Sequence, residues 1–246
     1  MSRKPDDSVA PLEGLDAELF APGLLHELRQ PLMGAHAAAT LLERSLGESL
    51  ASVEDWRLLR GQLARLAEIV NGYEDLLRPS AVPPSPFAIG PVVRRAVELL
   101  AHRLRPLGAR FAVALGPAGL EGFGQPAALV HAATNLVANA LDAMEGAPGA
   151  PRLEVRVLGA RVDGAVEVRV SDEGVGLTPE ARKRIFEPRF TTKGPGRGTG
   201  LGLHVARRLM AQNGGAVYLV PEEDSARLPW AVTEFCVVVP APGGAR

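Results

Sequence analysis

The sequence has 246 residues, with 27 basic and 28 acidic side chains and a formal net charge of −1. This balance provides no basic field that would attract nucleic acid or an anionic membrane surface, so neither is an expected partner. The single cysteine, Cys236, excludes an internal disulfide. Neither a signal-peptide-like start nor a run of about eighteen apolar residues is found, which predicts a cytoplasmic chain without a membrane span.

Two heptad patterns occupy the first third of the chain. Residues 1–21 are rich in proline, glycine and aspartate and are predicted to be a flexible leader. Apolar residues then recur at alternating steps of three and four in two stretches between residues 22 and 80. The first set is Leu25, Leu28, Leu32, Ala35, Ala39, Leu42 and Leu46, and the second is Trp56, Leu59, Leu63, Leu66, Val70, Tyr73 and Leu77. They predict a helical hairpin that buries its apolar seam by dimerising into a four-helix bundle.

The proline-rich stretch 81–89 is predicted to be a linker, followed by a domain over 90–240 and a short tail, 241–246. Within that domain the patterns predict helices near 90–105, 126–144 and 203–213. They predict strands near 110–115, 152–158, 165–171, 216–220 and 233–239, with a hairpin turn around 162–164. Helices combined with an antiparallel-leaning sheet indicate an α+β sandwich.

His26 follows the seam position Leu25, and the rotation of about 100° per helical residue turns it away from the packed face. A neutral imidazole near pH 7 offers a nucleophilic nitrogen, and Glu27 is placed to take up its proton. A lone histidine at such a place is more often a solvated helix residue without a role. The surrounding string from His26 to Leu32, His-Glu-Leu-Arg-Gln-Pro-Leu, favours the acceptor interpretation.

Three further motifs have the chemistry of a nucleotide site. Asn135 and Asn139 lie four apart on a predicted helix, and amide oxygens on one face suit Mg²⁺, although two such asparagines alone more often only decorate a helix. Asp172 follows a predicted strand and precedes Gly174 and Gly176, where a carboxylate is able to accept from an exocyclic amine. Lys193 precedes a glycine-rich run, residues 194–202, that enters a helix whose backbone amides suit phosphates. A plain loop is the usual alternative, and a dinucleotide-binding turn is excluded because no βαβ unit surrounds the run.

The four motifs, in this order, resemble the core of the sensor histidine kinases of two-component systems. The resemblance covers about residues 22–240 and implies a hairpin followed by a sandwich of the GHKL ATPase type, with ATP and Mg²⁺ as cofactors. It implies that His26 is phosphorylated with Glu27 as acid/base partner, that Asn139 is the direct metal ligand with Asn135 beside it, and that Asp172 reads adenine. The remaining implied nucleotide contacts are Gly174, Gly176, Lys193, Gly198, Thr199, Gly200, Leu201, Gly202 and Thr233, the last through water.

The leading functional hypothesis is therefore an ATP-dependent protein histidine kinase that autophosphorylates His26 and passes the phosphoryl group to an aspartate of a response regulator. Its expected partners are a receiver domain, a second copy of the chain through residues 22–80, and a separate sensor protein. A GHKL ATPase is the first alternative, but it predicts a catalytic glutamate where Asn135 stands. The second alternative, a non-catalytic phosphotransfer hub, predicts eroded nucleotide motifs.

Overall fold

A computed structural model describes most of the chain. The described residues are 17–47, 50, 53–77, 83–104, 106–145, 147, 149–159, 164–193 and 200–243. No helix among them is both long and apolar enough to cross a membrane.

Two long helices come first, α1 (Ala17–Leu46) and α2 (Glu54–Leu77). They contact each other. Near the end of α1, the Glu43 carboxylate accepts from Trp56 Nε1 at 3.1 Å and pairs with Arg60 Nε at 3.0 Å. The expected leader, 1–21, is wrong at its end, because α1 already begins at Ala17, where alanine, glutamate and leucine favour a helix.

The second part of the chain contains two sheets and five helices in the described residues. Its elements are β1 (Ser85–Ala88), α3 (Ile89–Leu99), α4 (Ala101–Leu104), β2 (Arg110–Ala114), β3 (Glu121–Gly124), α5 (Pro126–Met144), β4 (Arg152–Leu158), β5 (Val166–Asp172), α6 (Pro179–Arg184), α7 (Gly202–Gln212), β6 (Ala216–Leu219) and β7 (Thr233–Val239). The larger sheet has the order β2-β4-β5-β7-β6. Only the β2–β4 pair is parallel, whereas β4–β5, β5–β7 and β6–β7 are antiparallel.

The expected linker, 81–89, is wrong in its second half. Ser85–Ala88 pairs antiparallel with β3, and α3 begins at Ile89, which is fully buried. Phe87 packs against the core and anchors this strand to the domain. The α/β unit therefore starts about five residues earlier than its predicted boundary at residue 90.

Alternation along the strands determines where the core lies. Leu153, Val155 and Val157 of β4 are buried, and the residues between them are partly exposed, so one face of the sheet is apolar. Helix α5 covers that face, with Leu136, Val137 and Leu141 fully buried, and α3 and α7 pack beside it. The predicted sandwich is confirmed, and α5, β4 and β7 have the predicted bounds.

The other face of the sheet carries a buried ionic cluster. The guanidinium of Arg169 donates to Glu167 at 2.8 Å, to both carboxylate oxygens of Asp224 at 3.0 and 3.1 Å, and to Glu234 at 3.1 Å. Arg169 is 3% exposed and Glu234 is fully buried, because the connection 221–232 folds over them. Burial alone would lower the pKa of Arg169, but the hydrogen bonds to Asp224 and Glu167 outweigh it and raise the pKa.

Candidate functional site

Helix α5 positions the two asparagines of the predicted metal site. The helix starts with Pro126, which is suited to the first turn because its missing N–H has no intrahelical partner there. Asn135 and Asn139 are both half-buried on the side of α5 that its core residues leave free. Asn135 Nδ2 donates to the His131 carbonyl at 3.2 Å, and this hydrogen bond holds the side-chain amide in place.

The start of α7 lies directly against Asn135. A Cβ atom on Gly202, the first residue of α7, would be only 2.8 Å from Asn135 Oδ1. A side chain here would displace the Asn135 amide, so glycine lets the start of α7 approach that amide closely. The predicted phosphate-binding helix start and the predicted metal site are therefore neighbours.

Asp172 is a buried carboxyl at the end of β5, with 2% of its surface exposed. Desolvation raises its pKa to about 7, and the hydrogen bond that Oδ1 accepts from Gly174 N, 2.9 Å long, counteracts this in part. Thr233 is its register partner on β7 and is also buried. Val232 N donates to the Asp172 carbonyl at 2.9 Å, which fixes the backbone around the carboxyl.

The glycines after Asp172 allow this turn to approach its neighbours. A Cβ on Gly174 would lie 2.7 Å from the Cβ of Ala143, and Val175 N donates to the Ala143 carbonyl at 3.0 Å. Gly176 has φ +75°, a conformation that side chains disfavour. The Asp172 turn is thus joined to α5 one turn beyond Asn139.

Lys193, which precedes the glycine-rich run, also contacts α5. Its Nζ lies 3.4 Å from Asn139 Oδ1 and forms an ion pair with Asp142. Asp142 also contacts Arg103 of α4. Asp142 and Arg103 were missed in the sequence, although Asp142 follows Asn139 by three residues on the same helix face, which was an available signal.

The chain before the glycine-rich run contacts the last part of that run. Arg189 N donates to the Gly200 carbonyl at 3.0 Å, and a Cβ on Gly200 would lie 2.4 Å from the Arg189 carbonyl carbon. Both residues have φ near +65°. Leu201 is buried just before α7. Gly198 and Thr199 lie outside the described residues.

The aromatic residues before this segment pack on α7 and the sheet. Phe186 meets Phe235 edge to face with ring centroids 6.2 Å apart, and its carbonyl contacts His204 Nδ1 at 3.2 Å. The guanidinium of Arg207 lies 5.3 Å from the Phe186 ring centroid. These contacts fix the chain that leads to Lys193.

His26 and Glu27 lie in α1. Their side chains are outside the described part of the structure. Their predicted roles therefore remain predictions.

The residues around Asn139 fit a hard cation. The Asn139 amide oxygen already attracts the Lys193 ammonium, and amide oxygens are ligands that Mg²⁺ accepts. No group of three or more His, Cys, Asp or Glu side chains in the described ranges has the arrangement of a metal site. Mg²⁺ commonly takes part of its coordination shell from phosphate and water, so one or two amide oxygens are an adequate contribution from a protein.

Comparisons with known proteins agree with this geometry. Residues 124–243 match the family of histidine kinase-, DNA gyrase B-, and HSP90-like ATPases. The chain is 33% identical over 225 residues to the two-component sensor PprA of Pseudomonas aeruginosa, covering 85% of this chain and 24% of PprA. It is 30% identical over 199 residues to the sensor histidine kinase ZraS of Klebsiella oxytoca, covering 80% of this chain and 42% of ZraS.

A solved structure resembles nearly the whole chain. Full-length ShkA in complex with AMPPNP superposes with a TM-score of 0.67 at 29% identity, covering 93% of this chain and 47% of ShkA. The chain spans less than half the length of the curated relatives PprA and ZraS.

The sandwich and the three motifs around α5 define an ATP-binding domain, and residues 124–243 belong to the histidine kinase-, DNA gyrase B-, and HSP90-like ATPase family. The matches to sensor kinases extend well beyond that domain. Residues 124–243 are therefore a GHKL-type ATPase domain, and the chain is similar over most of its length to sensor histidine kinases.

Proposed function

We propose that this chain is an ATP-dependent protein histidine kinase of a two-component system. It autophosphorylates His26 and transfers the phosphoryl group to an aspartate on the receiver domain of a response regulator. The observation that carries the proposal is the convergence of three sequence-distant motifs on α5: Gly202 contacts Asn135, Lys193 contacts Asn139, and Gly174 contacts Ala143.

The proposed nucleotide contacts follow from this convergence. The Asp172 carboxylate accepts from the exocyclic amine of adenine, Thr233 reaches the ring through water, and Gly174 and Gly176 let the backbone approach the flat face. The phosphates lie at the start of α7, where backbone amides and the helix dipole favour negative charge. The residues assigned to the phosphate end are Lys193, Gly198, Thr199, Gly200, Leu201 and Gly202.

Asn139 is the proposed direct ligand of Mg²⁺, with Asn135 beside it. When bound, the metal supplies charge neutralisation at the phosphates. The protein's own part is to hold the amide oxygens in place, which the Asn135–His131 hydrogen bond does for Asn135.

The proposed reaction is an in-line displacement at the γ-phosphorus. An imidazole nitrogen of His26 forms a bond to phosphorus, and the bond from phosphorus to the β,γ-bridging oxygen breaks. The proton of the imidazole passes to Glu27, and ADP leaves. Transfer to the receiver then breaks the phosphorus–nitrogen bond and forms an acyl phosphate on its aspartate.

Dimerisation through residues 22–80 is part of the proposal. Leu28 and Leu42 of α1 and Leu59 and Leu66 of α2 are each about half exposed, at 48, 46, 49 and 49%. These are heptad positions, and a second copy of the hairpin would bury them in a four-helix bundle. The receiver domain and a separate sensor protein are the other proposed partners.

The proposed function is tested with γ-labelled ATP and Mg²⁺. We expect acid-labile label on the intact chain and none on the His26→Ala or Asn139→Ala variants. His36→Ala is the matched control, because His36 lies on the same helix and should leave labelling unchanged. Label that persists in His26→Ala would refute His26 as the acceptor, and a chain that never labels with a receiver domain and sensor present would refute the kinase.

A further inference from the structure

An ion cluster of four residues lies beside the proposed phosphate site. Asp142 of α5 contacts both Lys193 and Arg103, and Arg103 also pairs with Glu145 at 3.1 Å. We call these residues, Arg103, Asp142, Glu145 and Lys193, the Asp142 cluster. The proposed kinase reaction makes no use of Asp142, Arg103 or Glu145.

The Asp142 cluster is balanced in charge and partly withdrawn from water. It contains two cations and two carboxylates, and the side chains of Asp142, Arg103 and Lys193 are 23, 30 and 31% exposed. Solvent therefore screens these pairs less than it screens a fully exposed pair. Lys193 is held in a defined place by the Asp142 carboxylate.

Lys193 lies next to the proposed metal ligand. Its ammonium lies 3.4 Å from Asn139 Oδ1, the oxygen assigned to Mg²⁺. Phosphates that enter the site use the Lys193 ammonium as a counter-ion. That ammonium is already paired with the Asp142 carboxylate. A carboxylate beside the phosphates also repels them.

We infer that Asp142 competes with the phosphates of ATP for Lys193. Before ATP binds, the ion pair with Asp142 holds the Lys193 ammonium beside Asn139. When ATP binds, Lys193 leaves the Asp142 carboxylate and pairs with a phosphate. This inference rests on the proposed nucleotide site. It makes Asp142 a residue that lowers ATP affinity, although no nucleotide contact is assigned to it.

Arg103 makes the exchange possible. After Lys193 moves to a phosphate, the Asp142 carboxylate still has the Arg103 guanidinium as a partner, so no charge is left unpaired in a partly buried place. Removing Arg103 should therefore have the opposite effect to neutralising Asp142. Without Arg103, Asp142 would hold Lys193 more firmly, and ATP would bind more weakly.

The test measures binding of Mg²⁺-ATP to the full chain by calorimetry and of adenosine by NMR titration. Asp142→Asn should tighten ATP binding about twofold to fivefold, the range of a partly exposed ion pair, and leave adenosine binding unchanged. Arg103→Gln should weaken ATP binding. Glu145→Gln is the matched control, since it removes the same charge from the residue that follows the same helix, without touching Lys193, and its effect should stay below about twofold.

Each other outcome decides against the inference. Unchanged or weaker ATP binding in Asp142→Asn, with adenosine binding intact, would overturn it, and so would an equal change for adenosine, because that would be an effect on the fold. If the unmodified chain labels His26 but the variants do not show the expected changes in ATP affinity, the inference is refuted and the proposed function stands. If the unmodified chain does not bind ATP, the proposed function fails with it.

Discussion

Replacing Asp172 with asparagine should strengthen the fold and weaken the proposed activity at the same time. The carboxyl is 2% exposed, and burial raises its pKa from 3.8 to about 7. Above pH 7 the folded protein must therefore carry a buried negative charge. Asparagine removes that charge and keeps an oxygen for the hydrogen bond from Gly174 N.

The magnitude follows from the pKa difference between the folded and unfolded states. Each unit of pKa difference between the two states corresponds to about 1.4 kcal/mol of unfolding free energy. Ionised Asp172 therefore lowers the stability of the folded state by on the order of 2–4 kcal/mol at pH 8. Because the folded state has the higher pKa, it binds the proton more tightly. The stability that this proton provides is complete below pH 4 and is lost as the pH rises towards 7 and above.

Urea unfolding of both chains at a series of pH values tests the sign. We expect Asp172→Asn to be more stable than the unmodified chain at pH 8, with the advantage declining to near zero by pH 4. Glu173→Gln is the control, since Glu173 is about one-third exposed and pairs with surface arginines; its effect should stay below about 1 kcal/mol. A variant that is less stable at pH 8 would refute the reasoning.

The same variant reports on adenine recognition. A hydrogen bond to a charged acceptor contributes about 1.5–3 kcal/mol, so Asp172→Asn should lower ATP affinity about tenfold to hundredfold at pH 8. A gain in stability without loss of ATP affinity would show that Asp172 is buried for another reason.

Two further substitutions test the packing around the site. Gly202→Ala should lower ATP affinity about tenfold, because its Cβ displaces Asn135 Oδ1, with little change in unfolding temperature; Gly90→Ala, where a Cβ finds ordinary contact distances, is the control for calorimetry. Arg169→Met should cost about 3–5 kcal/mol in urea unfolding, because it removes the buried cation that Glu167, Asp224 and Glu234 share, whereas Arg182→Met, at a side chain about one-third exposed, should cost less than about 1 kcal/mol. Equal losses for the two arginines would contradict the burial argument.

The elements that the sequence predicted well are those with a strong period. Helix α5 and strands β4 and β7 have uninterrupted apolar patterns, and their bounds agree with the prediction. Strands β1 and β3 have only four residues each, and β1 contains Pro86, so neither shows enough alternation to be recognised. Helix α6 was also missed, because its six residues are too few to show a helical period. Its start is marked by Thr178, whose side chain accepts a hydrogen bond from Ala181 N.

Tertiary contacts explain what the sequence could not reveal. Arg169 alternates with buried valines on β5, a position that normally faces water, but here it is buried and contacts Asp224 of the connection 221–232. The contact of Arg103 and Lys193 with Asp142 joins three distant segments. The glycine motifs indicated close backbone approach, but which residue each glycine approaches depends on the packing of α5.

Helix α5 has a further consequence for how this domain tolerates change. Its contacts with the rest of the site occur at Asn135, Asn139, Asp142 and Ala143, all on one side of the helix. Inserting or deleting one residue before Asn135 would rotate this side by about 100° and separate all of these contacts together. Insertions and deletions should therefore be tolerated in the loops that surround α5. Within the helix, the number of residues between these contacts should not change.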